Sequence, residues 1–252
     1  FHIGPPKGFG KKFLDGDYLV FPYGMLSIAA QLKKAGHEVD LYNISNYPWS
    51  NIVKLISLIK ADVIGMSCFS SNRRGILVLA VLIKAYLPNC HIVVGGPNAT
   101  AMPEEILKYC REVDTVVIGE GEHTFVDIIT KIKDGVETKG IPGTAWREED
   151  RVIYGPARER VKNLDSLVGV HEYFPTRIFM TSRGCPQQCT FCSSKMMWGR
   201  RVTYHSIEYI LDAIEKLVNG YGIKVLYIKD ETFTFSKKRV LELCQGIIDR
   251  GL

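Results

Sequence analysis

Residues 92–100 read IVVGGPNAT: three β-branched residues, two glycines, a proline, then small residues. A short apolar β-branched run that ends abruptly in glycine is the pattern of a strand buried on both faces as it leaves a parallel sheet. Glycine tolerates φ > 0 and lets backbone N–H and C=O groups approach a ligand with no side chain between them. Working outward, the same pattern recurs. Strand cores fall at His2-Ile3, Val39–Tyr42, Val63–Met66, Ile92–Val94 and Val116–Ile118. Between them run helical periodicities: Met25, Ile28, Ala29 and Leu32 form one face, closed by Gly36, and Phe125, Ile128, Ile129 and Ile132 form another. Segment 76–87 is apolar nearly all round, as in a helix buried inside a domain. This alternation predicts an α/β fold built on a Rossmann-like, doubly wound parallel sheet.

In an open parallel sheet, ligands bind beyond the carboxyl ends of the strands. Four loops there supply the candidate contacts. They are Pro6; Ser67, Cys68, Phe69, Ser70 and Asn72; Gly95, Gly96, Pro97 and Asn98; and Gly119, Glu120, Gly121 and Glu122. Tight β-to-α turns use glycine in any case, so no single loop decides the matter. Four together favour a wide, flat ligand rich in amide groups. Gly4 leads into Pro5-Pro6 without a GxGxxG, and no Walker lysine motif occurs, which disfavours a dinucleotide or a nucleoside triphosphate.

The character changes at residues 141–156, where two short strand patterns flank the charged turn Arg147–Arg151. They read as a hairpin that leaves the parallel sheet. The expected organisation is a first domain over 1–140, a hairpin and linker over 141–174, and a second domain over 175–252. That second domain reads β-α-β-α: a strand at 178–181, a helix with Ile207, Ile210, Leu211, Ile214 and Leu217 on its face, a strand at 225–228, and a helix N-capped by Ser236 with Val240, Leu243, Cys244 and Ile247 on its face. Two such units are too few for a barrel, which needs about 200 residues or more. With Phe1 at its start and Gly251-Leu252 ending it after a helical pattern, the sequence reads as part of a longer protein whose (β/α) barrel is truncated.

Of the 252 residues, 46% are hydrophobic and 23% charged, as in ordinary globular proteins rather than disordered ones. The net charge of +5 comes with isolated basic pairs such as Arg73-Arg74 and Arg200-Arg201, so no stripe follows a nucleic-acid backbone. Seven cysteines, an odd number, do not make a secreted disulfide framework. With neither a signal peptide nor a membrane-length apolar run, the expected compartment is the cytoplasm.

Residues 181–195, TSRGCPQQCTFCSSK, place Cys185, Cys189 and Cys192 in a CxxxCxxC spacing. A disulfide strands the third thiol. A closed zinc site needs a fourth ligand, for which His171 and His205 are nearest in sequence. Three thiolates also suit three irons of a cubane cluster, leaving the fourth iron open to a small chelating ligand. Cys90, Cys110 and Cys244 sit in periodic or turn contexts and read as structural.

Arg183-Gly184-Cys185-Pro186 through Phe191-Cys192 resembles the signature loop of the radical S-adenosylmethionine (SAM) enzymes. Ile64-Gly65-Met66-Ser67, residues 95–100 (GGPNAT) and residues 117–122 (VIGEGE) resemble the cobalamin-binding domain of their cobalamin-dependent subclass. Trp198-Gly199-Arg200-Arg201 and residues 227–234 (YIKDETFT) resemble that subclass beyond its cluster, so the likeness spans almost the whole chain. It implies a 4Fe-4S cluster on Cys185, Cys189 and Cys192, SAM bound to that cluster near Phe191 and Glu231, and cobalamin on the four sheet-edge loops. It also implies reductive cleavage of SAM to a 5′-deoxyadenosyl radical, a small-molecule substrate, and an external electron donor such as flavodoxin or ferredoxin.

Three departures qualify the likeness. No histidine is followed by glycine three places later, so a DxHxxG cobalt ligand is excluded. Asn98 stands where histidine is frequent in the subclass. Asp230-Glu231 stands in place of Gly-Gly-Glu, and Glu231 reads either as the receiver of the SAM amino group or as a charged strand end. The expected activity is methylation of an unactivated carbon. The alternatives are a ring contraction, cyclisation or oxidative rearrangement without methyl transfer, and a non-catalytic corrinoid or Fe–S carrier.

Overall fold

The computed structural model describes residues 21–45 and 47–252. The strand expected at His2-Ile3 and the contact expected from Pro6 lie outside the described residues. Contacts divide the described chain into two compact units, residues 40–160 on the one hand and residues 21–39 with 161–252 on the other.

In the unit spanning 40–160, β1 (Val63–Ser67), β2 (His91–Gly95), β3 (Thr115–Val117), β4 (Thr144–Glu148) and β5 (Arg151–Tyr154) form one sheet in that order. β1, β2 and β3 are parallel, in register from Val63↔His91 to Ser67↔Gly95 and from Val93↔Thr115 to Val94↔Val116. The IVV run explains itself here. Ile92 and Val94 face a core shared with α2 (Trp49–Ile56), α3 (Arg73–Tyr86) and α5 (Pro103–Tyr109) through Ile52, Ile83 and Ile106. Val93, pointing the other way, joins Val117, Ile128 and Ile141 beside α6 (Glu122–Lys133). Successive side chains of a strand alternate between faces, so a strand covered on both sides must be apolar at every position. Gly65 leaves room for this packing, because a Cβ there would lie 2.7 Å from the Phe125 ring.

Three sequence expectations are corrected in this unit. The 141–156 hairpin does not leave the sheet: β4 runs antiparallel to β3, from Thr115↔Trp146 to Val117↔Thr144. β3 would otherwise present an unpaired row of backbone donors and acceptors, and the fully buried Ala145 carries the core across to β4. The sheet is therefore mixed rather than wholly parallel. The 39–42 run is irregular and pairs with no strand among the described residues. Finally, α3 is not buried all round: Leu79, Ala80 and Ile83 face the core, while Val78 and Val81 are 42% and 48% exposed.

In the other unit, α1 (Tyr23–Lys34) packs on the stretch that follows residue 160. The Gln31 amide donates to the Val168 carbonyl (3.1 Å) and accepts from the Val168 N–H (3.2 Å), and Tyr23 meets Phe179 edge-on. The expected linker is itself packed, with 3-10 turns at Leu164–Ser166 and Val170–Glu172 and a small core of Val161, Leu164 and Leu167. β6 (Ile178–Phe179) runs parallel to β9 (Tyr227–Ile228), and β7 (Ser182–Arg183) antiparallel to β8 (Thr203–Tyr204). α7 (Ser194–Trp198) follows the cysteine loop. α8 (Ile207–Glu215) and α9 (Lys237–Asp249) close a core of Phe179, Ile210, Leu211, Leu217 and Leu243. The Ser206 and Ser236 hydroxyls accept from the Tyr209 and Arg239 N–H groups, caps worth about 1 kcal/mol each.

All seven cysteines are free. Burial pushes the Cys90 and Cys110 thiols up to about 11, as inert core thiols. Cys244 is exposed, which corrects its structural reading: next to the buried Leu243 in α9, it is turned out of the core by the step of the helix. Among the described residues no helix is long and apolar enough to cross a membrane.

Candidate functional site

At the carboxyl edge of the sheet, the structure brings together three of the four loops singled out from sequence. The Cys68 N–H donates to the Gly95 carbonyl (2.7 Å), and the Asn98 N–H to the Cys68 carbonyl (3.0 Å). Gly96 sits at φ 96°, and a Cβ there would meet the Cys68 carbonyl at 3.0 Å and the Ser67 hydroxyl at 3.1 Å, so only glycine lets the two loops touch. Thr100, at the end of α4 (Pro97–Ala101), accepts from the Gly119 N–H at 3.0 Å and ties in the third loop. Thr100 was not among the sequence candidates, because nothing local signals a bond to a residue nineteen positions away.

The candidates divide by exposure. Phe69, Ser70 and Asn72 are exposed, whereas Ser67, Gly95, Gly96, Pro97, Gly119 and Glu120 are half-buried. Cys68, Asn98, Gly121 and Glu122 are buried. Asn98 acts as an internal staple: its Nδ2 donates to the Ser70 hydroxyl (3.3 Å), and its Oδ1 accepts from the Cys68 thiol (3.6 Å). Burial pushes that thiol up, although Arg73 opposes the shift, so it stays protonated and able to donate. Asn98→Ala is expected to cost the sheet unit about 1–3 kcal/mol. The check is a denaturant titration together with faster amide exchange at residues 67–72.

The cysteine loop lies in the other unit. Cys185 is half-buried, Cys189 and Cys192 are exposed, and Phe191 is 92% exposed. Among the described residues no three His, Cys, Asp or Glu side chains are drawn together as a metal-holding group. The loop is held from β9. The Asp230 carboxylate accepts from the N–H groups of Thr181 (2.7 Å) and Ser182 (3.2 Å) and from both of their hydroxyls. Glu231 accepts from the Gly184 N–H at 3.2 Å, and the Thr232 hydroxyl lies 3.1 Å from the Cys185 sulfur. Gly184 has φ 95°, and a Cβ there would fall 2.2 Å from the Arg201 carbonyl oxygen. The Arg183 guanidinium lies over the Trp198 ring.

The two histidines nearest the cysteines in sequence are engaged elsewhere. His205 donates from Nδ1 to the Asp165 carboxylate (2.7 Å) and stacks on Tyr209, centroids 4.2 Å apart. His171 packs edge-on against that same Tyr209 ring, with Glu172 at its Nε2. Three free thiols within eight residues, with no histidine drawn to them among the described residues, fit a cluster that keeps one iron open. The glycine-lined sheet edge fits a flat, amide-bearing ligand.

Comparison with known proteins shows what the chain is similar to. The family described as B12 binding domain matches residues 15–129. A solved structure of the cobalamin-dependent S-adenosylmethionine radical enzyme OxsB, with aqua-cobalamin and S-adenosylmethionine bound, superposes on 91% of this chain and 35% of its own, with TM-score 0.75 and 21% identity. The chain resembles the cobalamin-dependent radical SAM enzymes. A structure of the radical SAM methyltransferase TsrM from Kitasatospora setae, with cobalamin and [4Fe-4S] cluster bound, shares the fold over 91% of the chain and 49% of its own (TM-score 0.72, 20% identity). By sequence, the chain is 32% identical to an uncharacterized methyltransferase, PH0819, of Pyrococcus horikoshii over 92% of its length. It is 26% identical, over the same share, to the anaerobic magnesium-protoporphyrin IX monomethyl ester cyclase of Cereibacter sphaeroides. The chain spans 53% of the first relative and 40% of the second, so about half the length of what it matches.

Proposed function

We propose that the whole protein is a radical SAM enzyme that methylates an unactivated carbon of a small-molecule substrate. The observation that carries this is the three-thiol loop, gripped by Asp230, Glu231 and Thr232, in a chain that also bears a B12-binding domain. When bound, the cluster and cobalamin supply reductive cleavage of SAM and methyl-carrier chemistry. Cys185, Cys189 and Cys192 hold the cluster. Glu231 gives one carboxylate oxygen to Gly184 and keeps the other for the SAM amino group, while the exposed Phe191 ring offers an apolar face to SAM. On the sheet, Ser67, Phe69, Ser70, Asn72, Gly95, Gly96, Pro97, Gly119 and Glu120 face cobalamin. Cys68, Asn98, Gly121 and Glu122 shape those loops from within. In this reading β6 and β9, which run parallel with α8 between them in the chain, begin a (β/α) barrel, and the unit spanning 40–160 carries the cobalamin loops. The free thiols accord with a reducing cytoplasm and an external one-electron donor such as flavodoxin or ferredoxin.

The test is turnover of the full-length protein, purified without oxygen, with methyl-labelled SAM. Label in an alkylated product together with 5′-deoxyadenosine is the expected result. Deoxyadenosine with an unlabelled, rearranged product transfers the assignment to a cyclase-type reaction, the second reading, which the Cereibacter relative favours. Intact cluster without deoxyadenosine leaves a corrinoid or Fe–S carrier. Colourless protein with stoichiometric zinc overturns the cluster.

A further inference from the structure

We propose that Thr232 is a positioning residue for the cluster, its hydroxyl donating a hydrogen bond to the Cys185 sulfur and raising the cluster's reduction potential. The proposal rests on the cluster reading above. The Thr232 Oγ1 and Cys185 Sγ lie 3.1 Å apart, and in the free thiol either atom is able to donate. An iron-bound cysteine carries no proton, so on loading the hydroxyl becomes the only donor of the pair. A donor aimed at a ligand sulfur stabilises the more negative, reduced cluster, and such hydrogen bonds are among the levers that set cluster potentials.

The contact is built rather than incidental. Three consecutive residues after β9 grip four of the five residues from Thr181 to Cys185: Asp230 takes Thr181 and Ser182, Glu231 takes Gly184, and Thr232 takes Cys185. From the far side, Gly184 is pressed against the Arg201 carbonyl. The backbone entering Cys185 is thereby held from two sides at Gly184, which sets the sulfur beside the hydroxyl. Cys189 and Cys192 lie exposed on the outer part of the loop, so Cys185 is the ligand through which the protein acts on the cluster most directly.

The experiment is a potentiometric titration of the full-length protein without SAM, using dithionite as reductant and following the reduced cluster by electron paramagnetic resonance. One electron enters per cluster. Thr232→Val, which keeps the shape and removes the hydroxyl, is expected to weaken reduction about tenfold, a midpoint about 59 mV more negative, with unchanged iron content. Thr232→Ala should move the same way, and Thr232→Ser should return to the wild-type midpoint. If Val and Ala variants carrying full iron titrate like wild type, the proposal is overturned. It is equally overturned if Ser follows Val and Ala. Wild-type protein that binds zinc and no iron would instead defeat the cluster reading beneath it.

Discussion

Gly184→Ala is expected to destabilise the unit containing residues 161–252 by about 4 kcal/mol and to abolish iron loading. Two costs combine. An alanine at φ 95° lies in backbone space that L side chains rarely adopt, at about 1–2 kcal/mol. Its Cβ would also stand 2.2 Å from the Arg201 carbonyl oxygen, backbone that cannot rotate away. Relief requires β7 to separate from β8, breaking the Ser182↔Tyr204 and Arg183↔Thr203 pairs. The displaced loop would then lose the Glu231 and Thr232 contacts that place Cys185. Hydrogen exchange localises the effect: amides at 178–205 should lose protection while the sheet amides at 91–95 keep theirs. Wild-type protection at 178–205 together with full iron in the variant would show that the loop tolerates a Cβ and that this packing is wrong.

The second large effect is on pH. His205 is buried, and that burial pushes its pKa down to about 4, with Asp165 opposing the shift only in part. An unfolded histidine titrates near 6.5. Between those values the unfolded chain binds a proton that the folded chain refuses, so stability is full above about pH 6.5 and drains as pH falls towards 4. At about 1.4 kcal/mol per pH unit the loss is about 3 kcal/mol. His171, also lowered by burial, adds in the same direction. Asp165 does not cancel the effect. Burial raises its pKa, but hydrogen bonds from Ser206 and His205 outweigh that and hold it low, so it stays charged through the window. Denaturant titrations at pH 7, 5.5 and 4.5 should show the decline, and His205→Gln should remove most of the slope. A variant with the wild-type slope would place the acid sensitivity elsewhere.

Much of the site was legible because it is local. The CxxxCxxC spacing, the glycines after β2 and β3 and the serine cap of α9 each report chemistry within a few residues. What was not legible is long-range. Nothing near Asp230 announces that it takes four hydrogen bonds from residues 48 and 49 positions away, and nothing near His205 names Asp165, 40 positions away, as its partner. The segment 76–87 misled for a related reason: composition records apolarity but not which side lacks a neighbour, and Val78 and Val81 are on that side.

The sequence alone determined where strands begin and end in glycine, which positions alternate between two cores, and that three thiols share one loop. These depend on side-chain period and backbone freedom, which act over one or two turns of chain. Only the tertiary structure decided that the hairpin extends the sheet, that α1 packs with residues beyond 160, and that Asp230, Glu231 and Thr232 hold the cysteine loop. A buried donor or an open strand edge needs a partner, but its own neighbourhood does not specify which distant segment provides it.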